Sequence, residues 1–142
     1  MENNSTNPIY IENYFSEIEL LNLLNQSLGI SCDSMKYEKK DSDYFLSYDD
    51  GFDNGFKIEI LIAWRRGLGK SIDLLKLGYD LATKLRTRIL FEAYQVIDSP
   101  TEYVLFDEEG MLYSVEVIEV EYENGVEEGI QVIEESKRRL SF

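Results

Sequence analysis

Phe56-Lys57-Ile58-Glu59-Ile60-Leu61-Ile62-Ala63-Trp64-Arg65 is the stretch whose reading decides the fold. Phe56, Ile58, Ile60, Ile62 and Trp64 alternate with Lys57, Glu59, Leu61, Ala63 and Arg65. A period of two is that of a β-strand with one face turned to a core. Just upstream, residues 43–49 place Tyr44, Leu46 and Tyr48 on one parity and Phe45 on the other, which predicts a second short strand. Asp49-Asp50-Gly51-Phe52-Asp53-Asn54-Gly55 between the two is turn chemistry throughout. Downstream, Arg66-Gly67-Leu68-Gly69 breaks the strand and Ser71 suits the N-cap of a helix. Ile72, Leu75, Tyr79, Ala82 and Leu85, flanked by Leu74 and Leu81, form its expected buried stripe. Lys84, Arg86 and Arg88 crowd the end that the helix dipole makes negative.

Working outward, Tyr14, Phe15, Ile18, Leu21, Leu24 and Leu28 recur at helical steps, with Asn13 or Ser16 as the cap and Gly29 as the stop. Residues 1–12 read as a polar lead segment and residues 32–42 as a loop. Residues 88–96 return to strand, and Asp98-Ser99-Pro100 ends it. Residues 103–106 and 111–122 predict a hairpin around Asp107-Glu108-Glu109-Gly110. Within the long strand the apolar parity changes from Met111, Tyr113, Val115 and Val117 to Ile118, Val120 and Tyr122, which predicts a bulge near Val117. Asn124-Gly125 is a strong hairpin signal and predicts a further strand over 126–133, then a solvated tail over about 135–142. The expectation is one α+β domain over residues 1–142: a mostly antiparallel sheet of about five to six strands with two main helices on one face.

Composition limits what such a domain can do. The 142 residues carry 28 acids against 14 Lys and Arg, a formal charge of −14, and no histidine. That charge repels phosphate backbones and anionic lipid heads, so neither nucleic acid nor a membrane is an expected direct partner. Without histidine there is no Ser-His-Asp triad, Cys-His dyad or imidazole metal site. Cys32 is the single cysteine, which excludes an internal disulfide and multi-cysteine metal sites, and Asp33 beside it opposes thiolate formation. The polar start lacks a signal-peptide pattern and no apolar run approaches a bilayer span, so a cytoplasmic protein is expected.

Three motifs invite chemistry and each fails on spacing. Gly69-Lys70-Ser71 sits where a phosphate loop would, but Trp64 occupies the position of the first Walker A glycine. Asp49, Asp50, Asp53 and Asn54 resemble calcium ligands. Aligned from Asp49, an EF-hand loop needs a ligand at Gly51; aligned from Asp50, its bidentate glutamate falls on Leu61. No spacing singles out a carboxylate pair for acid–base work. No catalytic residue, cofactor or metal is expected.

The layout of charge is more informative. Residues 1–55 hold 11 acids and 3 bases, residues 56–100 hold 5 and 8, and residues 101–142 hold 12 and 3. The negative charge lies in two blocks around a mildly basic middle. Glu119, Glu121 and Glu123 alternate along a strand, with Glu127 and Glu128 just past the turn. If Ile118, Val120 and Tyr122 face inward, the three glutamates project together. Such a row serves either as a soluble, edge-protecting face or as a surface for a cationic partner. Tyr48 and Tyr122, two of ten tyrosines, stand beside the acidic clusters and offer rigid, polar-tipped contact area.

Phe56-Lys57-Ile58-Glu59-Ile60-Leu61-Ile62-Ala63-Trp64, Leu74-Leu75-Lys76-Leu77-Gly78-Tyr79-Asp80-Leu81-Ala82 and Val104-Leu105-Phe106-Asp107-Glu108-Glu109-Gly110 together resemble segments of the immunity proteins of contact-dependent growth inhibition and related bacterial polymorphic toxin systems. The resemblance covers about residues 56–122 and carries over no functional residue. It implies a cytosolic antidote that binds one cognate toxin domain, often a nuclease, and occludes its active site or substrate groove. On the charge layout, the expected partner-binding residues are Tyr48, Asp49, Asp50 and Asp53, then Glu119, Glu121, Tyr122, Glu123, Glu127 and Glu128. A small-molecule-binding or enzymatic domain with a pocket between sheet and helix, and an acidic nucleic-acid mimic, stand as alternatives.

Overall fold

The computed structural model describes residues 3–37, 42–65, 72–94, 96–121 and 127–140. Its centre is β6 (Ile58–Arg65), where Ile58, Ile60 and Ile62 are wholly buried, as the alternation requires. β4 (Tyr44–Asp49) runs antiparallel along one side of it, with Leu46 opposite Ile62 and Tyr48 opposite Ile60. Its other side is taken by β1 (Asn3–Ser5) and β2 (Ile9–Ile11), both antiparallel to it. The expected polar lead segment is therefore wrong: Ile9, Tyr10 and Ile11 are buried in the middle of the sheet. Three residues are too short a run to show a period. Between β1 and β2 the ladder is carried by Thr6, whose N–H donates to the Ile62 carbonyl at 2.9 Å and whose Oγ1 accepts from the Ile62 N–H at 3.1 Å.

Beyond β2 follow β7 (Ile89–Glu92), β8 (Tyr103–Phe106), β9 (Leu112–Glu121) and β10 (Glu127–Arg139). β3 (Cys32–Ser34) lies parallel to β4 at one end, and the two residues of β5 (Asn54–Gly55) lie parallel to β10 at the other. Among the described residues the result is an α+β fold with a mixed sheet of ten strands, larger than the five to six expected and with parallel pairs at both ends where a mostly antiparallel sheet was expected. The additional strands, β1, β2, β3 and β5, are two or three residues each, and β3 together with a 3₁₀ turn at Met35–Tyr37 replaces the loop expected there. The expected tail is largely strand, since β10 continues to Arg139 and the Leu140 N–H donates to the Leu112 carbonyl at 2.9 Å.

β5 runs within two residues into β6, and the Phe56 N–H donates to the Ile130 carbonyl at 3.0 Å. The sheet therefore curls until its far strand meets the chain entering its central one. The hairpin β9–β10 folds over the face opposite the helices, and Ile130 and Val115 bury with Tyr10, Phe56, Leu90, Tyr103 and Leu105. Arg88 clasps this closure. Its Nε donates to Glu12 at 2.9 Å, its Nη1 to Glu134 on β10 at 2.9 Å, and its guanidinium lies 5.7 Å from the Phe56 ring centre.

The opposite face carries α1 (Glu17–Leu28) and α2 (Leu74–Leu85). α1 begins in a capping box, with Glu19 N–H on Ser16 Oγ and Ser16 N–H on Glu19 Oε1, both at 3.2 Å, and ends at Gly29 with φ +64°. It buries Leu20 and Leu24 but not Tyr14 or Ile18. Tyr14 precedes the cap, so helical spacing never applied to it. α2 starts two residues later than expected, capped by Asp73; Ser71 lies outside the described residues. It buries Leu77, Gly78, Leu81 and Ala82, and Tyr79 is half-exposed rather than in the core. A side chain at Gly78 would meet the Phe106 ring at 2.8 Å, so the glycine lets α2 sit close on the sheet. The helices are tied by Ser27 Oγ on Asp80 at 2.6 Å and Lys76 Nζ on the Ser27 carbonyl at 2.6 Å.

The bulge expected near Val117 is not in β9. β9 keeps its register from Glu116 through Val120, and the irregularities fall on β10, at residues 127–129 and 133–138. The apolar parity of β9 changes for another reason: beyond Val117 the hairpin overhangs the sheet, and Ile118 is 52% exposed. Ile118 is exposed like Glu119 beside it, so it does not supply the buried parity on which the expected row of glutamates depended; Glu123 lies outside the described residues. The Asn124-Gly125 turn lies outside the described residues, although the strands on either side pair antiparallel.

Candidate partner-binding surface

The residues of the first acidic block lie on the chain that links β4 to β5. Asp49 closes the turn with its own carboxylate, which accepts the Gly51 N–H at 2.9 Å. Asp49, Asp50 and Asp53 are exposed, and the Asp53 carbonyl accepts from Lys57 Nζ at 3.2 Å. Tyr48 behaves differently from the anchor expected. It packs against the helix-side core and its hydroxyl donates to the Phe15 carbonyl at 2.7 Å. Burial first, then its bond to Tyr14 and the nearby Asp50 carboxylate, push the phenol well above its ordinary value. Tyr48 pins the start of α1 to β4 and stays a neutral hydrogen-bond donor.

The second block lies at the distal end of the β9–β10 hairpin. Glu119 is exposed and its Cα stands opposite Ile130; the backbone of Glu121 stands opposite that of Glu127. Tyr122 and Glu123 lie outside the described residues. Neither block is near the other in sequence, yet the β5–β10 bridge joins them, with Asn54 opposite Gly129 and Gly55 opposite Ile130. The pair runs parallel, so residues 49–53 and 127–128 approach the bridge from the same side. Two glycines permit it. A Cβ on Gly129 would stand 2.0 Å from the Asn54 carbonyl oxygen, and one on Gly55 would stand 1.9 Å from that of Ile130. The hydrophobic closure around Phe56 and Ile130 holds this approach together.

Two residues near this surface were assigned to the core by periodicity and belong outside it: Tyr14 is 63% exposed and Ile18 is 71% exposed. The available sequence signal is the cap itself, since a helix that starts after Ser16 puts Ile18 next to the exposed Glu19 in its first turn.

Other chemistry has little to build on. Burial and then Asp33 push the Cys32 thiol up to about 12, which favours the protonated thiol near neutrality. Among the described residues, no group of three or more His, Cys, Asp or Glu is placed to hold a metal ion, and no helix is long and apolar enough to cross a membrane. An open groove of about 510 Å³ lies between the strand ends and the start of α2, lined by Thr6, Trp64, Ile72, Leu75, Tyr94 and Val96 among others. No family model, curated protein or solved structure matches the chain.

Proposed function

We propose that this chain is an immunity protein: a cytoplasmic antidote that binds a cognate bacterial toxin domain and blocks it by stoichiometric occlusion, with no turnover of its own. The observation that carries the reading is the β5–β10 bridge, which draws two acidic segments, remote in sequence, to one end of a chain of formal charge −14. A nuclease toxin needs a basic cleft to hold phosphates, and an anionic surface competes for the same field. Opposite charge steers the encounter and can raise association rates by about a hundredfold or more over a neutral pair. Tight residence then depends on a few desolvated anchors.

The test is co-purification of the full chain with the C-terminal domain of the protein encoded immediately upstream, since antidotes are normally encoded beside their toxins. A 1:1 complex is expected, with that domain's activity suppressed and affinity falling as salt is raised. Replacing Asp49, Asp50 and Asp53 together by lysine should weaken the complex and flatten the salt dependence. Absence of a complex, or an affinity indifferent to both salt and charge reversal, overturns the reading.

The groove favours a second reading, a small-molecule-binding domain, because Trp64 and Tyr94 line it between sheet and helix. A metabolite screen by thermal shift decides between the two: strong stabilisation by one compound, lost in Trp64→Ala, supports the groove.

A further inference from the structure

We infer that the apolar anchors of the acidic surface are Tyr14 and Ile18 at the start of α1, and that they seat in an apolar pocket rimmed by Lys or Arg on a basic protein partner. The inference rests on the antidote reading and names which face makes the contact. A lone exposed apolar side chain is ordinary on a protein surface. These two are more than three-fifths exposed and stand four residues apart at the start of α1. The Tyr48 hydroxyl donates to the carbonyl of Phe15, the residue after Tyr14, at 2.7 Å and lies 3.5 Å from the Asp50 carboxylate. That chain of contacts sets Tyr14 beside the 49–53 turn. Ile18 stands between Glu17 and Glu19 in the first turn of α1. Glu17 in turn accepts from Ser34 Oγ at 2.7 Å, which brings Met35, 40% exposed, to the same helix end.

Glu17 is largely covered and pairs with Lys36 at 3.7 Å, so the acidic rim beside this apolar centre is formed by the exposed Glu19, Asp49 and Asp50, an arrangement in which desolvated anchors hold a complex and surrounding charges steer it. Charge selects the occupant. A second copy of the chain would bring another net −14 against the same rim, and a lipid surface or nucleic acid would bring further negative charge. A basic protein surface is what the rim complements.

The test measures Kd and its salt dependence for the full chain against the C-terminal domain encoded upstream. The variants are Ile18→Ser, Tyr14→Ala, the triple Asp49→Asn/Asp50→Asn/Asp53→Asn and, as a control, Tyr94→Ser, which is 71% exposed but lies at the groove. Thermal melts check that each variant folds, and Ile18 has so little buried surface that its replacement leaves the melt unchanged. Ile18→Ser is expected to weaken binding about 30-fold or more with the salt slope intact, as removal of an anchor does. The Asp triple should lower the slope, and Tyr94→Ser should change neither. If Ile18→Ser and Tyr14→Ala both bind like the wild type while the Asp triple weakens binding, the inference fails and the antidote reading stands. If the wild type forms no complex, the antidote reading fails and takes this inference with it. A wild type that self-associates through the patch, made monomeric by Ile18→Ser, also overturns it.

Discussion

On one side of the curled sheet, Ile58, Ile60, Ile62, Ile89 and Phe91 lie under Leu20, Leu24, Leu77 and Leu81 from two helices. On the other, Tyr10, Leu90 and Leu105 lie under Val115 and Ile130, brought there by one hairpin that is fastened at a two-residue bridge and by Arg88. The helix side is redundant, since each helix has its own cap and many side chains share the burial. The hairpin side depends on a close backbone approach and a few side chains. It is also the side that gathers the acids. The acidic part of the surface proposed to bind therefore rests on the assembly that is easiest to undo, while its apolar anchors at the start of α1 belong to the helix side.

The largest expected effect is on the helix side. Phe91 is 1% exposed and stacks on Phe106 with ring centres 6.0 Å apart. Phe91→Ala should cost about 3–5 kcal/mol by lost transfer and cavity formation. Urea unfolding should show this as one global transition with a lowered midpoint. An intermediate effect is expected at the bridge. Gly129→Ala places a methyl against the Asn54 backbone and should cost about 1–3 kcal/mol. Native-state hydrogen exchange should accelerate selectively at the Phe56 amide, which bonds Ile130, while amides within α2 keep their protection. Equal acceleration everywhere would show that the two sides unfold as one and break the contrast drawn above.

The smallest effect is at the tie between the helices. The Ser27 hydroxyl, then the Lys76 ammonium, hold the Asp80 carboxyl below its usual range, with burial opposing them. A carboxylate whose folded pKa is depressed contributes stability above its unfolded value, near 3.9, and that contribution is lost as pH falls through the folded value. Lys76 is largely in water, so Asp80→Asn should cost only about 0.5–1 kcal/mol at pH 7. The gap between variant and wild type should narrow below about pH 4, as the wild-type carboxyl protonates. A gap that stays constant down to pH 2 would remove the charge from the explanation.

Much of this was legible in the sequence where contacts are local. The alternation from Ile58 to Ile62, the Ser16 cap and Gly29 stop of α1, and the turn at Asp107–Gly110 between β8 and β9 each involve residues a few positions apart, and each stands as expected, whereas at the end of β6 Ala63 is buried and Trp64 only half-buried, against the expected parity. The stripes on the helices were less legible. Periodicity tells that a helix has an apolar face, but its rotation is set by what it packs on, which is why Tyr79 and Ile18 turn outward and Leu77 and Leu20 inward. The candidate site was half legible: the acids at 49–53 and 119–128 stand out as runs, yet Tyr48 proved a structural tie and Tyr14 and Ile18 proved exposed.

The sequence by itself determined the α+β class, the central strand, the two ends of α1 and the sign of the net charge, because propensity, capping and net charge are properties of short windows or of composition. Only the tertiary structure decided that Asn54 meets Gly129, that Ile9–Ile11 lies mid-sheet, and that two acidic runs share one end of the molecule. Those contacts join residues far apart along the chain through strands too short to have a period. They form because closing the sheet buries Phe56 and Ile130, a gain that no local pattern encodes.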